Sequence, residues 1–190
     1  MKTRKGVEQF STDEHVRKTA KIEDFQKLKA VFKKDGTVTA GNASGINDAA
    51  AAVVLMEAGA AAKQGFKAMA RLVAYAHAGV EPQVMGLGPI PAVKRVFEKC
   101  GLKPADMDVV ESNEAFAAQA MAVTKDLGLD PAKVNPNGGA VALGHPIGAT
   151  GAILTVKALY ELARTQKRYA LVTMCIGGGQ GIAAIFERLQ

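Results

Sequence analysis

Asn137-Gly138-Gly139-Ala140-Val141-Ala142-Leu143-Gly144-His145-Pro146-Ile147-Gly148-Ala149-Thr150-Gly151 sets one histidine in a glycine-rich loop. Cys175 has a similar setting, between the apolar run Tyr169 to Met174 and the glycines Gly177-Gly178-Gly179. Glycine lets main chain and a bound molecule approach closely, and Pro146 narrows the turn after the ring. The run before Cys175 reads as a buried strand. A cysteine and a histidine far apart in sequence can converge as a thiol-based acid/base pair.

Downstream of the loop, Ala149 to Arg164 has helical spacing, with Ile153, Leu154, Val156, Leu159 and Leu162 on its apolar face. Two strands then close the chain, Tyr169 to Met174 and Gly181 to Glu187, with the glycines between them permitting a tight reversal. Upstream, Ala68 to Ala78 reads as a strand, Glu81 to Gly88 as a loop, and Pro89 or Pro91 opens a helix that runs to Cys100 and stops at Gly101. Met107 to Ser112 is a strand with Asn113 at its end, Ala115 to Leu127 a helix stopped by Gly128, and Val134-Asn135 a short strand into the loop. The order strand, helix, strand, helix, strand, helix, strand, strand predicts an α/β fold, a mixed β-sheet layered between helices on both faces.

The first third is different. Residues 1 to about 36 are polar and weakly periodic, with helical turns predicted over Asp13 to Lys18 and Ile22 to Phe32. Thr37 to Ala40 reads as a short strand and Gly41 to Gly45 as a turn. Asp48 is placed to cap the run Ala49 to Ala52, which leads into Val53 to Met56, and Ala58 to Gln64 is a short helix stopped by Gly65.

The net charge of +6 comes with lysines and arginines mixed among acidic residues, and no basic stripe alternates with aromatics. That pattern excludes a nucleic-acid surface and leaves a solvated exterior that can steer a small anionic molecule. Two cysteines make no disulfide framework, so a reducing cytoplasm is expected. No apolar run reaches membrane-spanning length. Gly177 to Gly181 lacks the dinucleotide spacing, Gly144 to Gly151 lacks a P-loop lysine, and the few His and Cys make no zinc pattern.

Four stretches together carry a family resemblance: Gly36 to Gly45, Glu111-Ser112-Asn113-Glu114-Ala115-Phe116-Ala117, Asn137 to Ala149, and Cys175 to Gly181. They resemble, in order, segments of the thiolases, and most closely the bacterial acetyl-CoA acetyltransferases and β-ketothiolases. The resemblance spans the chain, but the motif holding the family's nucleophilic cysteine is not in it, and Cys100 has no matching surroundings. It therefore implies the C-terminal half of a thiolase: 1–45 as the tail of the loop domain, 46–66 as the end of the N-terminal domain and 67–190 as the C-terminal domain. An N-terminal half would supply the nucleophile as a partner, in a dimeric or tetrameric assembly acting in lipid and fatty acid metabolism. The alternative is a catalytically inactive half that binds coenzyme A or serves as an interaction subunit.

What the resemblance implies for residues is specific. His145 activates the partner's nucleophile and helps hold the thioester oxygen, Asn113 positions a water beside it, Cys175 exchanges the substrate's α-proton, and the Gly177 N–H serves a second oxyanion hole. Ser44 and Ala40 touch the pantetheine arm of coenzyme A, Arg17 lies near its nucleotide end, and Phe32, Met85 and Phe116 line the acyl tunnel. Asp24 stands where many relatives have a small hydroxyl residue. Coenzyme A and acetyl-CoA enter as substrates, with no permanent cofactor and no metal. His15, His77 and Cys100 read as structural.

Overall fold

A computed structural model describes residues 2–4 and 6–189. Its sheet has four strands: β3 (Ala70–Gly79), β4 (Val109–Ser112), β5 (Tyr169–Ile176) and β6 (Gln180–Arg188), in the spatial order β3-β6-β5-β4. A two-residue pair, β1 (Lys2–Thr3) and β2 (Gly6–Val7), lies at the start of the chain. β5 and β6 form an antiparallel hairpin that runs from Tyr169 opposite Glu187 to Ile176 opposite Gln180. β3 adds antiparallel to β6, with a register shift between Leu72 and Ala74. β4 runs parallel to β5, Val109 opposite Ala170 through Ser112 opposite Thr173.

A parallel pair needs a long crossover, and the helices between β4 and β5 provide it. These are α4 (Ala117–Asp126), the four-residue α5 (Ala140–Leu143) and α6 (Thr150–Thr165). Alternation along the strands sorts the core into two layers. Val110, Leu171, Ala183 and Ile185 meet α4 and α3 (Pro89–Cys100) through Val123, Val93 and Val96. Val109, Ala170 and Val172 face the other way, onto Leu154, Ala158 and Leu162 of α6. β4 is buried on both faces, as expected where helices cover each side. Burying a valine such as Val93 or Val96 completely is worth roughly 1.5–3 kcal/mol.

Several local expectations change. Thr37 to Ala40 is not a strand, because the Asn42 side chain takes its hydrogen bonds: Thr39 N–H donates to Oδ1 at 2.8 Å and Nδ2 donates to the Thr37 carbonyl at 2.9 Å. Val134 makes only a single parallel bridge to Val110, since Asn135 turns to φ 47° and cannot continue a strand. On α6 the inward face is Leu154, Ala158 and Leu162, whereas Ile153, Val156 and Leu159 are half-buried on its flanks.

The first third stays outside the core, and among residues described up to 66 only Ala61 is buried. Asp13 to Lys18 forms no helix, and the turn after it is α1 (Ile22–Gln26). Asp48 caps nothing, because 47–57 is irregular. Glu57 instead caps α2 (Ala58–Lys63), accepting from Gly59 N–H at 2.8 Å and Ala60 N–H at 2.7 Å. Ile46, Val54 and Leu55 stand exposed.

Candidate active site

The site assembles at the carboxyl ends of β4 and β5, the edge where open α/β sheets present their reactive loops. Asn113 follows β4, and its N–H donates to the Thr173 carbonyl at 2.9 Å, which ties it to β5 two residues before Cys175. Its side chain is buried, with Nδ2 3.4 Å from His145 Nε2 and Oδ1 without a partner among the described residues.

His145 reaches that point because its loop is held from several sides. Asn135 Oδ1 accepts from Ser112 N–H at 2.9 Å, and Asn135 Nδ2 donates to the Ser112 carbonyl at 2.9 Å and to Glu114 Oε1 at 3.2 Å. Glu114 Oε2 in turn accepts from Val141 N–H, the second residue of α5, at 3.1 Å. Lys157 of α6 donates to Glu111 Oε2 at 2.7 Å and to the Gly138 carbonyl at 2.6 Å, pinning the loop's start to β4. After α5, Gly144 takes φ 96° and the Asn47 side chain fills the space where its Cβ would stand.

The His145 N–H donates to the Gly45 carbonyl at 3.0 Å, and Nδ1 lies 2.7 Å from Thr150 Oγ1 at the start of α6. Burial holds the imidazole's pKa below its ordinary value. The ring is therefore neutral at neutral pH and available as a base.

Segment 42–47 bridges the loops of Asn113 and His145. The Ala117 N–H donates to the Asn42 carbonyl at 2.9 Å, and Ala43 pairs with Phe116. Ser44 N–H and Ser44 Oγ both donate to the Ala115 carbonyl at 3.1 Å. The hydroxyl expected on a pantetheine arm thus also serves the loop of Asn113.

Cys175 is 6% exposed at the end of β5, opposite Gly181, and burial pushes its thiol up. No hydrogen bond among the described residues joins it to His145 or Asn113. Gly177 follows in the exposed turn, with nothing within 4 Å of a Cβ placed on it. Its glycine therefore answers no crowding within this chain.

Phe32 and Phe116 meet edge to face, ring centres 5.6 Å apart, and half-buried Met85 precedes Gly86, which packs on Gln119 of α4. Arg17 and Ala40 lie exposed on the irregular first third. Asp24 is engaged locally, with Lys21 N–H at 3.0 Å and the Lys27 ammonium at 3.3 Å. His15 packs near Gly45, His77 is exposed on β3, and Cys100 Sγ lies 3.7 Å from the Phe97 carbonyl.

Sequence reading missed Thr150, Glu114, Asn135, Asn47 and the pair Lys157–Glu111. Thr150 had a local signal, a hydroxyl opening a helix five residues after a histidine. The others act across the fold and had none. Among the described residues no three His, Cys, Asp or Glu cluster closely enough to hold a metal, and no helix is long and apolar enough to cross a membrane.

Residues 66–188 match the family model of the thiolase C-terminal domain, and residues 1–59 that of the thiolase N-terminal domain. The chain is 69% identical over 189 residues to a beta-ketothiolase (BktB) of Cupriavidus necator, covering 99% of this chain and 48% of that protein. It is 54% identical to an acetyl-CoA acetyltransferase of Rhizobium meliloti, covering 100% and 48%. The crystal structure of the Bacillus anthracis acetyl-CoA acetyltransferase superposes with a TM-score of 0.90 at 49% identity, covering 95% of this chain and 46% of the other. Human mitochondrial 3-ketoacyl-CoA thiolase in complex with CoA gives a TM-score of 0.86 at 47% identity, over 95% and 46%. The chain spans about half the length of the curated relatives it matches.

Proposed function

The chain belongs to the thiolase family, and from that premise we propose that it supplies the acid/base half of a coenzyme A-dependent acyl transfer. The reaction is Claisen condensation of two acyl-CoA molecules, or thiolysis of a 3-ketoacyl-CoA in reverse. The nucleophilic cysteine comes from an N-terminal half. The observation that carries this reading is the contact of Asn113 with His145 at the end of β4, with Cys175 next to last on the adjacent strand.

A neutral His145 accepts the proton of the incoming nucleophile at Nε2, and the acyl group then moves onto that sulfur. Buried Asn113 Oδ1 has the lone pairs to hold a water, which with His145 Nε2–H donates to the developing oxyanion. Cys175 keeps its proton at neutral pH because burial disfavours the thiolate. It gives that proton to the departing CoA sulfur, and the thiolate left behind removes the α-proton of the second acyl-CoA. The exposed Gly177 N–H faces the second oxyanion, with room for substrate beside it.

Phe32, Phe116 and Met85 give the acyl and pantetheine tunnel an apolar wall, and Ala40, Ser44 and Arg17 follow the arm toward the nucleotide. Residues 1–45, 46–66 and 67–190 correspond to the loop, N-terminal and C-terminal domain portions. The exposed Ile46, Val54 and Leu55 fit contact with an N-terminal half. A dimer or tetramer in the cytoplasm is the expected assembly, and both cysteines are free thiols.

The test is the intact mass of the native assembly, with acetoacetyl-CoA thiolysis assayed on the same sample. A larger assembly whose activity disappears in Cys175→Ala supports the proposal. A lone 19.8 kDa chain without activity overturns it and leaves a non-catalytic subunit.

A further inference from the structure

Thr150 is 3% exposed and opens α6, with Oγ1 2.7 Å from His145 Nδ1 and 2.9 Å from the Pro146 carbonyl oxygen. A hydroxyl has one hydrogen to give and two lone pairs. With that hydrogen on the Pro146 carbonyl, four residues back along the chain, a lone pair faces Nδ1, and Nδ1 must be the donor. On the far side of the ring, Nε2 faces the Asn113 amide nitrogen, itself a donor, at 3.4 Å. Both flanks require the same arrangement: hydrogen on Nδ1, lone pair on Nε2. The opposite tautomer would set Nε2–H against an amide N–H and turn the Thr150 hydrogen away from Pro146.

We propose that Thr150 is a positioning residue that locks His145 in its Nδ1–H tautomer, so that the nitrogen facing Asn113 is always the one that exchanges protons. Which ring nitrogen is basic follows from the bond made by the other. The arrangement also survives catalysis. Nδ1 carries its hydrogen in both the neutral and the cationic ring, so Thr150 keeps one orientation as Nε2 gains and loses a proton. Only the consequence for rate rests on the acyl-transfer reading; the proton's location does not.

The experiment is a long-range 1H–15N correlation spectrum of the 15N-labelled chain at about pH 8, where an ordinary imidazole, of pKa about 6.5, is neutral. His145 signals are assigned by their loss in His145→Gln. The expected result is the Nδ1–H pattern in the unmodified chain and in Thr150→Ser, with the Nε2–H form appearing in the near-isosteric Thr150→Val. An Nε2–H pattern in the unmodified chain, or an unchanged pattern in Thr150→Val, overturns the proposal. Should Thr150→Val not fold, the unmodified chain's spectrum decides alone. In an assembly that turns over acetoacetyl-CoA, Thr150→Val is expected to lower kcat about 100-fold with KM for CoA unchanged, the scale of lost general acid–base catalysis. Thr150→Ser restores it. If no assembly turns over, the acyl-transfer reading fails while the spectrum still decides the tautomer.

Discussion

The Glu114 carboxylate occupies the space that a Cβ on Gly139 would need. From there it accepts from Val141 N–H and Asn135 Nδ2, so Gly139 is what lets an acidic side chain beside Asn113 hold the loop of His145. Gly139→Ala is expected to cost about 1–3 kcal/mol, the usual penalty for overfilling a packed site. For a chain of this size that lowers Tm by roughly 2–4 °C per kcal/mol. Adding Glu114→Ala frees the space, so the double variant should melt above the sum of the two single losses. Strict additivity by calorimetry would mean that the two residues do not share this space.

Gly88 and Gly181 meet backbone to backbone: a Cβ on either would run into the other's main chain or that of Gln180. No flexible side chain can yield there. Gly181→Ala is expected to destabilise more than Gly139→Ala, where a carboxylate can swing aside. Chemical denaturation of the two variants in parallel ranks them. The reverse order would show that the turn after Cys175 is softer than this packing implies.

Glu111 is fully buried, and Lys157 is its ion-pair partner at 2.7 Å. Removing one member of a buried pair costs about 3–5 kcal/mol, because a charge is left uncompensated. Burial outweighs Lys157 and raises the Glu111 pKa. A raised carboxyl pKa means that the folded state binds more protons, so this group's contribution is favourable at low pH and lost as pH rises through its folded value. Lys157→Met should therefore be most damaging at neutral pH, and its deficit should shrink as pH falls toward the ordinary carboxyl range. Denaturant midpoints at pH 7 and pH 5 measure this. A deficit that grows on acidification would contradict it.

His145 works in the opposite direction. Its pKa is lowered by burial, so the unfolded chain binds more protons and this group's contribution is present above about pH 6.5, then lost as pH falls through the folded value. The unmodified protein should lose more stability between pH 7 and pH 5 than His145→Gln does. Parallel slopes for the two proteins in that window would show that the ring is not desolvated.

Periodicity made the sheet legible because strand and helix faces are local properties. β5, β6, α3 and α6 follow apolar patterns within a few residues of their observed ends. Asn113, His145 and Cys175 stood out as candidates because each sits in a short glycine- or asparagine-marked motif, at a strand end for Asn113 and Cys175 and in a loop for His145. What supports them was not legible. Asn135 and Ser112 are 23 residues apart and Glu111 and Lys157 are 46 apart, so no window of sequence relates them. Thr37 to Ala40 failed for a related reason: strand propensity was present, but the Asn42 side chain supplied a local partner that propensity does not count.

Segment 42–47 gives the molecule two borders that do not coincide. A protease cut in the exposed stretch between Asn47 and Glu57, with loss of everything before it, would leave all four strands of the main sheet and both apolar layers intact. It would also leave His145 N–H and Ala117 N–H without their acceptors and the Ala115 carbonyl without either Ser44 donor. Such a remnant would keep its sheet while the loops of Asn113 and His145 lost these ties. The border of the candidate site is therefore set by the reach of a six-residue strap, not by the edge of the sheet.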